Sequence, residues 1–148
     1  TEAGVTEPQP NFSPCFGGPF LPRRPTEYAQ MLAERMKKYR VNVWLLNTGW
    51  TGGPYGVGKR FDLKYTRAMV SAIQSGVLAR EEFDEDPIFG LMIPRHVEGV
   101  PAGVLHPEST WSDAAAYEKK ARELAAKFRA NDEKFRMDDA VRAAGPRV

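Results

Sequence analysis

Cysteine is almost missing from this chain: Cys15 is the only one in 148 residues. That excludes an internal disulfide and a thiolate metal cluster, and it fits a reducing compartment, so a cytoplasmic location is expected. Cys15 has no histidine near it in sequence and reads as a buried structural thiol. Long apolar runs are missing too. None approaches the roughly 20 residues that a membrane-spanning helix needs. Excess charge of either sign is also lacking, with 21 basic against 19 acidic residues and a formal charge of +2. Neither nucleic acid nor an anionic membrane is indicated as a partner. Histidine is scarce. His96 and His106 both fall in a Pro/Gly-punctuated stretch, residues 94–107, and sequence spacing offers neither a partner, so both read as surface or packing residues. The acidic stretch 81–86 lacks calcium-loop spacing and reads as a solvated loop, so no metal site is expected in this chain. There is no internal repeat.

What remains is ordinary globular material, 42% hydrophobic and 27% charged, and long enough for one domain with a sizeable core. Residues 41–67 organise it. Val41, Val43, Trp44, Leu45 and Leu46 predict a short buried strand over 41–47. Residues 47–60 then hold five glycines, and a helical pattern begins near Leu63. Strand, glycine loop and helix is a common way to bring backbone N–H groups to a phosphate. Gly53 to Lys59 even fits the first seven positions of G-x-x-x-x-G-K-[ST]. The eighth should carry a hydroxyl for the magnesium ion, and here it is Arg60. A stand-alone P-loop phosphotransferase is therefore disfavoured. A surface loop that needs glycine only for its turns is the plainer reading, but it leaves the cluster of Lys59, Arg60 and Arg67 at the loop's exit unexplained.

Around this stretch the periodicity predicts three helices. The first spans residues 26–39, with Tyr28, Met31, Leu32, Arg35 and Met36 on one stripe. The second spans residues 63–75, with Asp62 as N-cap, Gly76 at C′, and Tyr65, Ala68, Met69, Ala72 and Ile73 as its apolar face. The third spans residues 114–135, capped by Ser112 or Asp113, with Tyr117, Ala121, Leu124, Ala125 and Phe128 inward. Ala140 to Ala144 adds one further turn. Residues 88–93 predict a second strand, ended by Pro94. Arg67 in the first turn of the second helix opposes the helix dipole; either a bound anion or a structural carboxylate would compensate it. Residues 1–25 carry six prolines yet keep Phe12, Cys15, Phe16, Phe20 and Leu21. They read as an extended, packed segment whose first ten residues are mobile, either as a lid or as a frayed end. The opening TEAGVTEP reads like the interior of a longer protein, and the expectation is a fragment.

Several stretches in order, TEAGVTEP and FSPCFGGPFL, then NTGWTGGPYGVGKR with Thr66-Arg67, then DPIFGLMIP and the Ala144-Gly145-Pro146 ending, resemble the C-terminal part of ATP-type phosphoenolpyruvate carboxykinases. The resemblance covers essentially the whole chain. It implies a mixed α/β fold: the end of a sheet-containing, P-loop-type catalytic domain with about three helices and two or more short strands. Residues 1–25 would be lid-like and extended, 26–78 helix, strand, glycine loop and helix, and 79–148 strand, loop and C-terminal helices. The family converts oxaloacetate and ATP to phosphoenolpyruvate, ADP and carbon dioxide in gluconeogenesis, with Mg2+ or Mn2+. By the resemblance, Arg60, Phe61 and Thr66 contact the nucleotide, Phe61 standing where an aliphatic residue is expected, and residues 1–8 match the mobile region over the active site. The family's phosphate loop, metal ligands and oxaloacetate-binding arginines would lie upstream, so no catalytic or metal-binding residue is expected here. The remainder of the enzyme chain is the expected partner. The rival reading is a non-catalytic nucleotide-binding or assembly module working with a separate P-loop chain.

Overall fold

The computed structural model describes Gly4, residues 20–135 and residues 137–147. The lid reading of residues 1–8 and the buried-thiol reading of Cys15 lie outside the described residues. The fold is mixed α/β, with five helices and two two-stranded antiparallel sheets among the described residues. In chain order these are α1 (Pro25–Tyr39), β1 (Trp50–Thr51), β2 (Lys59–Arg60), α2 (Leu63–Gln74), β3 (Phe83–Glu85), β4 (Met92–Pro94), α3 (Ala102–Leu105), α4 (Ala114–Asp132) and α5 (Asp139–Ala143). Short 3-10 turns occupy Leu78–Arg80 and Pro107–Thr110.

The long helices appear where the 3.6-residue period places them. Pro25 opens α1, where its missing N–H costs nothing, and α1 closes on Arg40 in the left-handed region at φ 49°. The predicted stripe of α1 is not buried, however: Met31 and Leu32 are exposed. α2 does better. All five residues of its predicted face pack against a core of Leu78, Val97, Val100 and Leu105. In α4 the cap is Asp113, whose Oδ1 accepts from the N–H groups of Ala115 (2.8 Å) and Ala116 (3.1 Å). Ala121 and Ala125 of α4 build a second small core with Ile88, flanked by Phe89 and Tyr117, whereas Leu124 and Phe128, expected to point inward, are exposed because this core is too small to cover them.

Four local expectations need correction. Residues 41–47 are not a buried strand. No described segment pairs with them, Val43 and Leu45 are exposed, and only Trp44 is anchored, on the first core and stacked on Phe83 at 6.0 Å. A strand exists only through its ladder, and apolar composition cannot supply the partner. The second strand begins at Met92, not at residue 88, because Asp86 Oδ1 accepts from the N–H groups of Ile88 (2.9 Å) and Phe89 (2.6 Å) and bends the chain there. The acidic stretch is not simply loop: residues 83–85 form β3, registered as Phe83 with Pro94, Asp84 with Ile93 and Glu85 with Met92. Its charges meet distant arginines. Arg95 bridges Glu82 and Asp84 at 2.7 Å each, and Arg147 pairs with Glu85. His106, expected to be without a partner, has Asp84 Oδ2 at 4.0 Å and Glu108 Oε1 at 3.6 Å.

Tyr117, packed edge-on against Trp111 at 5.6 Å, carries a phenol held above its usual value. Burial is the largest cause, followed by the negative charges of Asp86 and Glu108. A raised pKa means that the folded chain keeps this proton more firmly than the unfolded chain does. The resulting stability is complete below the ordinary phenol range, about pH 10, and is lost as pH rises through the raised value. Tyrosinate absorbance in an alkaline titration should show a late ionising step, and Tyr117→Phe should remove it. A single coincident ionisation of all tyrosines would contradict this.

Candidate functional site

The glycine-rich stretch folds as a hairpin. β1 and β2 pair as Trp50 with Arg60 and Thr51 with Lys59, and the N–H of Phe61 donates to the carbonyl of Gly49 at 3.0 Å, extending the ladder by one bond. Residues 52–58 are the turn. Its closure is tight: Pro54 O accepts from the N–H groups of both Val57 (3.0 Å) and Gly58 (2.8 Å). A Cβ at position 58 would lie 2.4 Å from Gly53 O and 2.8 Å from Thr51 O, so no larger residue fits. Trp50 and Tyr55 pack edge to face across the turn at 5.6 Å. The near-match to a phosphate-cradling loop is thus a hairpin turn. Two of the amides that such a loop would turn toward a phosphate are spent inside it.

The hairpin is tied to the rest of the fold through Thr110. Thr110 Oγ1 accepts from the N–H of Gly52 at 3.1 Å and from Thr51 Oγ1 at 3.2 Å, and donates to Pro107 O at 2.7 Å. The approach is close enough that a Cβ on residue 52, which sits at φ 80°, would touch the Thr110 carbonyl. Between the hairpin, the start of α2, Val104 of α3 and Thr110 lies a cleft of about 430 Å³. Lys59, Arg60, Phe61, Asp62 and Tyr65 line it together with the turn glycines Gly52 and Gly58. Phe61 and Tyr65 meet edge-on at 6.0 Å, and Lys64 Nζ stands 4.9 Å from the Tyr65 ring centroid.

Arg60 is exposed on β2, and its guanidinium has no ion pair or side-chain hydrogen bond among the described residues. Phe61 is half-buried in the cleft wall. Thr66 sits in the first turn of α2, half-buried, its N–H donating to Asp62 O at 3.3 Å, and it does not line the cleft. Arg67 is also outside the lining, and no carboxylate pairs with it among the described residues. Asp62 precedes α2, as its N-cap position requires, but caps no amide with its side chain and instead lies 3.8 Å from Lys64 Nζ. Among the described residues no group of three or more His, Cys, Asp or Glu is placed to hold a metal ion, and no step is assigned to one here. Also among the described residues, no helix is long and apolar enough to cross a membrane. Sequence reasoning overlooks Thr51, Val104 and Thr110. The decisive contact joins positions 58 residues apart and leaves no local signature.

The cleft therefore offers two cationic side chains beside an aromatic wall, which suits an anionic ligand with a flat apolar part. Residues 1–103 match the phosphoenolpyruvate carboxykinase family, and the chain belongs to it. It is 58% identical over 146 residues to the phosphoenolpyruvate carboxykinase (ATP) of Geobacillus thermodenitrificans, covering 98% of this chain and 28% of that protein. It is 58% identical over 135 residues to the one of Christiangramia forsetii, covering 91% and 25%. Against the one of Caldanaerobacter subterraneus it is 51% identical over 148 residues, covering 99% and 28%. The chain thus spans little more than a quarter of the length of these curated relatives.

Gly58→Ala forces the new methyl into the Gly53 and Thr51 carbonyls and should cost about 1–3 kcal/mol, as overpacked sites do. Denaturant unfolding with hydrogen exchange at the Phe61 amide checks it. A variant with the parental midpoint and parental protection would show that the turn is not as tight as described.

Proposed function

We propose that residues 1–148 form the C-terminal, nucleotide-facing part of the catalytic domain of an ATP-dependent phosphoenolpyruvate carboxykinase. Such an enzyme converts oxaloacetate and ATP to phosphoenolpyruvate, ADP and carbon dioxide, a cytoplasmic step of gluconeogenesis. The observation that carries the reading is the Arg60 guanidinium, without an ion pair or side-chain hydrogen bond among the described residues, lining a cleft walled by Phe61 and Tyr65. The name shared by the relatives supports it. Arg60 reaches the anionic side of the nucleotide and Phe61 packs on the base. Thr66 contributes from the first turn of α2, on the resemblance alone.

In-line phosphoryl transfer needs cradled phosphates and a divalent cation, Mg2+ or Mn2+. These 148 residues contain no G-x-x-x-x-G-K-[ST] loop, since Arg60 occupies the hydroxyl position. The phosphate loop, the cation ligands and the groups that bind oxaloacetate belong, on this reading, to the remaining three-quarters of an enzyme as long as the relatives. The chain alone is then catalytically silent.

Two measurements test this. The purified 148-residue chain should show no oxaloacetate-dependent ATP consumption, and turnover near that of a complete carboxykinase would overturn the proposal. In the complete enzyme carrying this sequence, Arg60→Ala should weaken ATP binding by about ten- to a hundredfold, the loss expected for a hydrogen bond to a charged group, without unfolding it. Unchanged ATP affinity would remove Arg60 from the site.

A further inference from the structure

We infer that Thr110 is a positioning residue for the nucleotide, acting through the hairpin and not by contact with the ligand. The inference rests on the nucleotide reading of the cleft. A threonine hydroxyl has one proton to donate and two lone pairs to accept with. All three are in use within the protein, toward Pro107 O, the Gly52 N–H and the Thr51 hydroxyl. Although Thr110 lines the cleft, its hydroxyl has nothing left to offer a bound molecule.

What it does control is where the hairpin points. The ladder of β1 and β2 contains only two residue pairs, and a two-stranded ribbon is marginal by itself. Its orientation must come from an outside anchor. Thr51 is held by Thr110, Thr51 pairs with Lys59, and Arg60 and Phe61 follow directly along the same strand. The anchor is itself braced. His106, which precedes the 3-10 turn Pro107–Thr110, lies between Asp84 of β3 and Glu108, while Trp111, which follows it, packs on Tyr117 of α4. A chain of contacts therefore runs from β3 and α4 to the 3-10 turn, through one hydroxyl to the hairpin, and on to the Arg60 guanidinium that lines the cleft.

Thr110→Val keeps the shape and deletes the hydroxyl, while Thr110→Ser keeps the hydroxyl. In the complete enzyme carrying this sequence, Thr110→Val should weaken ATP binding about three- to tenfold while leaving the KM for oxaloacetate unchanged, and Thr110→Ser should restore the affinity. Hydrogen exchange at the Gly52 amide should quicken in the valine variant only. If Thr110→Val does not fold, Thr51→Val removes one of the three hydroxyl contacts and is read for the same outcomes. Parental ATP affinity in the valine variant, beside a weakened Arg60→Ala, would overturn the inference and leave the nucleotide reading standing. Equal losses for ATP and oxaloacetate with a lowered melting temperature would overturn it too, in favour of a purely structural role. Parental affinity in Arg60→Ala would overturn the nucleotide reading and this inference with it.

Discussion

The burial of one face of α2 is the interaction from which the cleft takes its shape. Tyr65, Ala68, Met69, Ala72 and Ile73 repeat at helical spacing and pack against Leu78, Val97, Val100 and Leu105. Apolar burial of this kind contributes about 25 cal/mol per Å² removed from water. Without it the 12-residue helix would be marginal, since helices this short seldom persist alone in water. Because α2 is fixed, Tyr65 is fixed in the cleft wall, and Val104 of α3, packed on the same core, is fixed with it.

The hairpin depends on that frame and gives little support in return. Its few ladder bonds and tight turn set its internal shape, and its placement is borrowed from elsewhere. This division suits a binding element. The scaffold absorbs the cost of order, and the hairpin presents an arginine that has no ion pair or side-chain hydrogen bond among the described residues. Exposed ion pairs contribute little to stability, so an Arg60 with no partner among the described residues costs the fold little.

The helices were legible because a helix closes its hydrogen bonds within itself and only needs its apolar stripe to repeat. α2, α4 and the Asp113 cap follow from local pattern alone. Strands were legible only in part, Met92–Pro94 overlapping the predicted 88–93, because their partners lie elsewhere. Residues 41–47 have strand composition and no ladder, whereas residues 83–85 look like solvated acid and do have one, with Arg95 and Arg147 arriving from far along the chain. The glycine loop misled for a related reason: glycine spacing marks tight backbone but does not say whether it wraps an anion or another strand. Of the residues carried over by resemblance, Arg60 and Phe61 line one cleft and Thr66 does not line it. Thr110 had no sequence signal, since a serine or threonine in a surface turn is commonplace.

The exposed run at residues 41–46 gives the chain an adhesive edge. Val41, Val43, Leu45 and Leu46 face outward, and the backbone they sit on makes no hydrogen bond among the described residues. An apolar segment with open backbone donors and acceptors is a template for strand addition.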